Sequence, residues 1–289
     1  MQGTGAIVTA AVISGMKVTG TSFADQRLVV YGAGTAGTGM ADQIHAGMVR
    51  DGLSETEARS RIWLIDRGGL VTDDMPDLPD YQQVYARPAA DVADWERGAR
   101  GIGLLEVVRR VRPTILIGTS TDHGAFTQDV IEALCVGADR PIVLPLSNPT
   151  ERIEVMPADV IAWSGGRALV AAGIPVEDVE HDGVTYTIGQ GNNALLYPGL
   201  GLGAVVSGAR EITDGMLLAA AEAVASQVDP LPRGAALLPP VRDLRASSAI
   251  VAEAVARCAE TEGVASRTHD DLARAIKDAM WEPVYGSWE

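Results

Sequence analysis

The hexapeptide Gly-Ala-Gly-Thr-Ala-Gly at residues 32–37 lies between a β-rich run, Leu28 to Tyr31, and apolar residues at helical spacing, Met40, Ile44 and Met48. A strand that turns on glycines into a helix presents free backbone N–H groups to an anion. In this pattern Gly32 permits the tight turn, Gly34 lets the backbone approach a pyrophosphate, and Gly37 lets helix and strand pack closely. Thr35 and Ala36 complete the cradle. The chemistry on offer is binding of a dinucleotide.

The next apolar run, Arg61 to Asp66, ends in an acid, where a nucleotide-binding sheet places a carboxylate on the adenosine ribose. Asp66 suits the free 2′-hydroxyl of NAD, whereas Arg67 beside it suits the 2′-phosphate of NADP; the acid tips the reading towards NAD. Two further loops, "LIGTSTDHGAFT" and "LPLSNPTER", follow expected strands over 114–120 and 141–148. Thr119, Ser120 and Asn148 therefore stand at the carboxyl edge, where such sheets bind nicotinamide or substrate. For "SNPT" a plain Asn-Pro turn is the alternative. His123 has the chemistry of a general base, but with no supporting neighbour it reads as solvent-facing. No charge occurs from Val184 to Ala209, yet six glycines, Gln190, Asn192, Asn193 and Pro198 interrupt that stretch. Paired amides at the entrance of a buried helix fix a carboxylate or carboxamide without cancelling its charge. The alternative is an Asn-rich N-cap on a core helix.

Holding these loops on one edge takes a parallel sheet. Short strands over 28–31, 61–66, 114–120 and 141–148 alternate with helical stretches, one opened by a Ser54–Glu57 capping box and another over 127–136. The expectation is an α/β, Rossmann-like doubly wound parallel sheet with right-handed crossovers. Strand signals stop near Asn193, and the remainder reads as amphipathic helices around a Pro-rich connector over 229–240. The expected division is a nucleotide-binding domain with a leading helix over 1–190 and a helical C-terminal region over 191–289. The leading helix, residues 1–19, carries no charge before Lys17. It lacks the basic start of a secretory leader and the ~20 apolar residues of a bilayer span. It reads as the interior of a fold.

With 289 residues and a net charge of −15, the chain is a poor partner for nucleic acid or an anionic membrane. Cys135 and Cys258 sit in apolar helical contexts without metal-ligand spacing, as free thiols of a reducing cytoplasm do. Asp73, Asp74 and Asp77 lie in a Pro-rich loop and read as solvated; no metal site is expected.

Taken together, "QGTG", "GAGTAG", "IWLIDRGGL", "PTILIGTS", "LSNPT", "GRALVAAG", "GQGNNALLYPGLGLG" and "SGAREITDGML" occur in the order found in malic enzymes. From residue 1 to about residue 260 the chain resembles the dinucleotide-binding, C-terminal portion of that family. The family oxidises (S)-malate with NAD or NADP and Mg²⁺ or Mn²⁺, then decarboxylates the product to pyruvate. The resemblance implies cofactor phosphates on Gly32, Gly34 and Gly37, the adenosine ribose near Asp66 and Arg67, and nicotinamide beside Asn192. It implies malate on Asn148 and Asn193. Thr35 stands where the family usually carries an acid. The family's metal carboxylates, catalytic Tyr and Lys, and malate-gripping Arg precede "QGT", so this chain is expected to hold no catalytic residue. It would bind the dinucleotide without turning over malate alone, as a homo-oligomer or with a separate catalytic portion. The only two lysines, Lys17 and Lys277, lack the desolvated setting of a catalytic base. A malolactic enzyme, or a non-catalytic dinucleotide-sensing module, is the alternative.

Overall fold

The structure, a computed structural model, describes residues 2–281. The chain opens with α1 (Gln2–Thr19), then β1 (Leu28–Tyr31), α2 (Thr35–Arg50), α3 (Glu55–Ser60), β2 (Ile62–Asp66) and β3 (Gly69–Leu70). A largely irregular stretch containing α4 (Asp80–Gln83) leads to α5 (Leu104–Val111), β4 (Ile115–Gly118), α6 (Gln128–Gly137), β5 (Ile142–Pro145), α7 (Pro157–Trp163) and β6 (Leu169–Ala172). A hairpin of β7 (Val179–His181) and β8 (Val184–Tyr186) precedes β9 (Gly189–Gln190). Then come α8 (Tyr197–Ser207), α9 (Asp214–Ala225), α10 (Leu244–Thr261) and α11 (Leu272–Ala279).

Seven strands form one sheet in the order β3-β2-β1-β4-β5-β6-β9, with every neighbouring pair parallel except β2 and β3. Because successive side chains point to opposite faces, each central strand feeds two cores. Leu28, Val30, Ile115, Ile117, Ile142 and Leu144 enter the core beneath α1, α2 and α9. Val29, Leu116 and Val143 enter the other, beneath α5, α6 and α7. Burial on both faces explains why these strands read as continuous apolar runs. The expected doubly wound α/β sheet is the fold observed.

The first helix, uncharged until Lys17 in its last turn, is a core element. Ala6, Ile7, Ala10 and Val12 have no exposed surface, because α1 lies between the sheet and α9. Its approach to the sheet is close: a Cβ on Gly15 would stand 2.5 Å from Ile142 Cδ1. The sheet exceeds the four strands expected from sequence. β6 reads "LVAA", in which Leu169 and the two alanines favour helix against the strand preference of Val170, and β9 is two residues paired only to β6. Cys135 is buried and Cys258 half-buried, both as free thiols. Among the described residues no helix is long and apolar enough to cross a membrane.

Candidate functional site

The strand order reverses between β1 and β4: the chain leaves β1 towards β2 on one side, and leaves β4 towards β5 on the other. Loops diverging at such a point open a crevice at the carboxyl edge. Gly32 turns the chain there at φ +106°, and a Cβ on it would lie 2.5 Å from the Ser120 nitrogen of the opposite wall. The Gly32 and Ala33 N–H groups donate to Ile65 O at 2.8 and 3.1 Å. Across the crevice Thr119 Oγ1 donates to Gly32 O at 2.7 Å. Gly37 seats α2 against the turn, its absent Cβ being 2.2 Å from Gly32 O.

Gly34 differs. It is the N-cap of α2, no side chain caps that first turn, and nothing lies within 4 Å of the position its Cβ would take. The opening N–H groups at Thr35 and Ala36 have no intrahelical partner, and the helix dipole adds positive potential there. Space, donors and sign fit the pyrophosphate of a dinucleotide.

Asp66 ends β2 beside this cradle. Its Oδ1 accepts from Arg67 N at 2.9 Å and its Oδ2 from Gln82 Nε2 at 2.8 Å. The same Gln82 nitrogen donates to Ala33 O at 2.7 Å. One buried amide thus ties the phosphate loop to the acid expected on the ribose, a link that sequence reasoning missed. Gln82 reaches it from α4, in a segment anchored by Trp63 stacked on Trp95 (5.4 Å) and Arg87 lying 3.8 Å over Trp63. The Arg67 side chain is exposed beside Asp66.

On the β4 side, Tyr31 Oη donates to Asp122 at 2.8 Å. Burial, then the Asp122 carboxylate, push this phenol up to about 12, so it is a hydrogen-bond donor at neutral pH and braces the 119–124 loop. Ser120 and Ser147 converge on Glu154, a second residue that sequence reasoning missed. Ser120 N, Ser120 Oγ and Ser147 Oγ donate to its Oε1 at 2.8, 2.9 and 2.5 Å, and Ser147 N to Oε2 at 3.3 Å. Asn148 follows Ser147 with its side chain exposed, before a cis bond to Pro149.

The loop after β9 adjoins this wall: Gly191 N donates to Ala172 O at 2.8 Å, and a Cβ on Gly191 would meet Leu146 at 3.3 Å. Asn192 Oδ1 accepts from Ala194 N at 2.9 Å, capping the short turn Asn193–Leu195. Asn193 Nδ2 donates to Thr4 Oγ1 in the first turn of α1 at 3.2 Å, while its Oδ1 is buried without a partner. That orphan acceptor suits a ligand donor.

The remaining candidates lie apart. His123 is exposed, and Lys17 is exposed 4.0 Å from Asp229. Asp73 accepts from Ala89 N and Asp74 from Thr72 Oγ1. Among the described residues no three His, Cys, Asp or Glu side chains converge as metal ligands. A cavity of about 620 Å³ between α2, α4 and α9 reaches the crevice only at Thr35. Two of its polar groups are partnered, Asp42 by Tyr85 and Arg50 by Glu222, and the cradle at the switch point is the candidate site.

Comparison with known proteins gives a consistent result. The family model for the malic enzyme NAD-binding domain matches residues 1–260. The chain is 52% identical over 287 residues to NAD-dependent malic enzyme 3 of Bacillus subtilis, covering 99% of this chain and 51% of that protein. It is 45% identical over 285 residues to the malolactic enzyme of Lactococcus lactis, covering 99% and 52%. The solved malic enzyme of Pyrococcus horikoshii superposes with a TM-score of 0.73 at 25% identity, over 96% of this chain and 58% of that one. The chain thus spans about half the length of the relatives it matches.

Proposed function

Because the chain belongs to the malic enzyme family, matching its NAD-binding domain over residues 1–260, we propose that it supplies the nucleotide half of an oxidative decarboxylation of malate to pyruvate and CO₂. The observation that carries this reading is the open cradle at Gly34, with uncapped helix N–H groups on one side and Asp66, held by Gln82, on the other.

Placement supports each role in this reading. The α2 N-terminus holds the pyrophosphate, and Asp66 accepts from the adenosine ribose, which favours NAD over NADP. Exposed Arg67 is the group that would oppose that preference. Thr119, Ser120 and Asn148 line the nicotinamide side, with Asn192 behind them. Asn148 and the orphan Asn193 oxygen orient malate. Held by these residues, NAD would supply the hydride acceptor for C2 of malate. We assign the base for the C2 hydroxyl and the ligands of the divalent cation, which the family resemblance puts before the "QGT" motif, to the remainder of a longer, cytoplasmic protein or to a partner chain. In this reading residues 1–190 form the nucleotide-binding domain, and the described helices after 191, part of which share its core, face that remainder.

Fluorescence titration of the chain with NADH and NADPH tests the proposal. Saturable binding with NADH favoured by about tenfold or more is expected, a difference of about 1.4 kcal/mol. The chain alone is expected to give no nucleotide reduction with malate and Mn²⁺; ordinary dehydrogenase turnover, ~1–10³ s⁻¹, would sink that part. A malolactic reading has support from the Lactococcus lactis relative. It shares the same nucleotide site, and the two separate by product, pyruvate with net NADH against lactate with none.

A further inference from the structure

Glu154 is the only Asp, Glu, Lys or Arg among the described residues with no exposed surface, and no ion pair involves it among those residues. Taking a carboxyl group out of water without a counter-cation is unfavourable unless hydrogen bonds replace the solvent. Four do so, and all four come from the loops after β4 and β5. The side chain lies flat on Gly118, the last residue of β4, where a Cβ would stand 2.6 Å from the Glu154 carboxyl carbon. An apolar residue there would leave the Ser120 and Ser147 donors without their acceptor, so the acid matters for what it holds.

What it holds is a strained loop. Thr121 is β-branched yet adopts φ +58°, a conformation that such residues avoid. Its N–H donates to Ser147 Oγ at 2.9 Å, and that hydroxyl in turn donates to Glu154. Ser120 Oγ, also donating to Glu154, accepts from Asp122 N at 3.1 Å. Glu154 therefore fixes the direction of both hydroxyl protons, and through them the backbone of 120–122. Thr119, one residue before, closes the crevice on Gly32, and Asn148 is one residue past Ser147.

Resting on the NAD reading of this site, we propose that Glu154 is a positioning residue for the nicotinamide half of the cofactor: it holds the β4 and β5 loops at the spacing that nicotinamide requires, and leaves the adenosine half untouched. Of the groups assigned to the adenosine half, Gly34, Asp66 and Gln82 do not touch Glu154, and Gly32 meets the β4 loop only through Thr119 and Ser120.

The test compares NADH with ADP-ribose, which shares the adenosine diphosphate half and lacks nicotinamide, on the full 289-residue chain. Glu154→Gln keeps the shape but turns an N–H donor towards Ser147 N. The unmodified chain should bind both ligands. The variant should bind NADH about tenfold more weakly, with a diminished NADH fluorescence enhancement, and ADP-ribose within about twofold. Parallel weakening of both ligands, or no change in either, overturns the positioning role while leaving the cofactor reading intact. Binding of neither ligand by the unmodified chain overturns both. If Glu154→Gln does not fold, Ser147→Ala, which removes one hydroxyl, must show the same selective loss of NADH; an unselective response overturns the proposal.

Discussion

Gly34 and Gly37 lie one helical turn apart, yet a methyl group added to each meets different surroundings. At Gly37 it would stand 2.2 Å from Gly32 O and 2.9 Å from Thr119 Oγ1, so α2 must lift from the sheet. Overpacking of this kind costs about 1–3 kcal/mol. At Gly34 it would stand in open space, on a backbone at φ −69° that any residue adopts. The only structural cost there is a poorer N-cap, about 1 kcal/mol or less. Gly37→Ala should therefore lower both the melting temperature and NADH affinity. Gly34→Ala should leave the melting temperature nearly unchanged and still abolish NADH binding, since its methyl occupies the pyrophosphate position. Calorimetric melting alongside NADH titration separates the two. Intact NADH binding by Gly34→Ala would remove the phosphate from this cradle.

At the scale of elements, the uncharged stretch over 184–209 divides its glycines between packing and chance. In α8, Gly203 faces α10, where a Cβ would lie 2.5 Å from Ala252 O, whereas Gly201 has nothing within 4 Å. Gly201→Ala should thus stabilise the chain by about 0.5–1 kcal/mol, the ordinary helical preference for alanine. Gly203→Ala should destabilise it by about 1–3 kcal/mol through the clash. Urea unfolding of the two variants reads the opposite signs directly. The sequence alone marks both residues as helical glycines and does not separate them, because the separation depends on a helix more than forty positions away. The same limit governs the site. Gly32–Gly37, Asp66 and the two loops after β4 and β5 were legible because each follows an apolar run by a fixed local offset. Gln82 and Glu154 were not, since their partners Ala33 and Ser120 lie 49 and 34 residues distant. Nor were β6 and β9, short segments that become strand only when β5 offers an edge to β6 and β6 in turn to β9. The alternative of an Asn N-cap on the core helix is not formed: Asn192 caps the short turn Asn193–Leu195, and α8 itself starts from Leu196 without a side-chain cap, which leaves Asn193 as the amide with an acceptor to spare.

For the whole molecule, the net charge of −15 sets the approach of an anionic ligand. NADH carries two negative phosphates, so the protein's field opposes its arrival, while the α2 N-terminus attracts it only within the last turn. These two terms respond differently to salt. Repulsion summed over the surface acts across tens of ångströms, and screening removes it as the Debye length falls from ~30 Å at 0.01 M to ~8 Å at 0.15 M. Hydrogen bonds from backbone N–H groups at contact distance are far less affected. NADH affinity should therefore rise with added salt over that range, by about threefold or more, where a site built on exposed cations would weaken. Arg67 is the internal control. If NADPH is held through an ion pair between its 2′-phosphate and this exposed guanidinium, NADPH affinity should rise less than that of NADH, or fall, and Arg67→Gln should abolish the difference. Equal salt responses for the two nucleotides in the unmodified chain would mean that Arg67 takes no part in nucleotide choice, leaving Asp66 and the amide that holds it as its determinants.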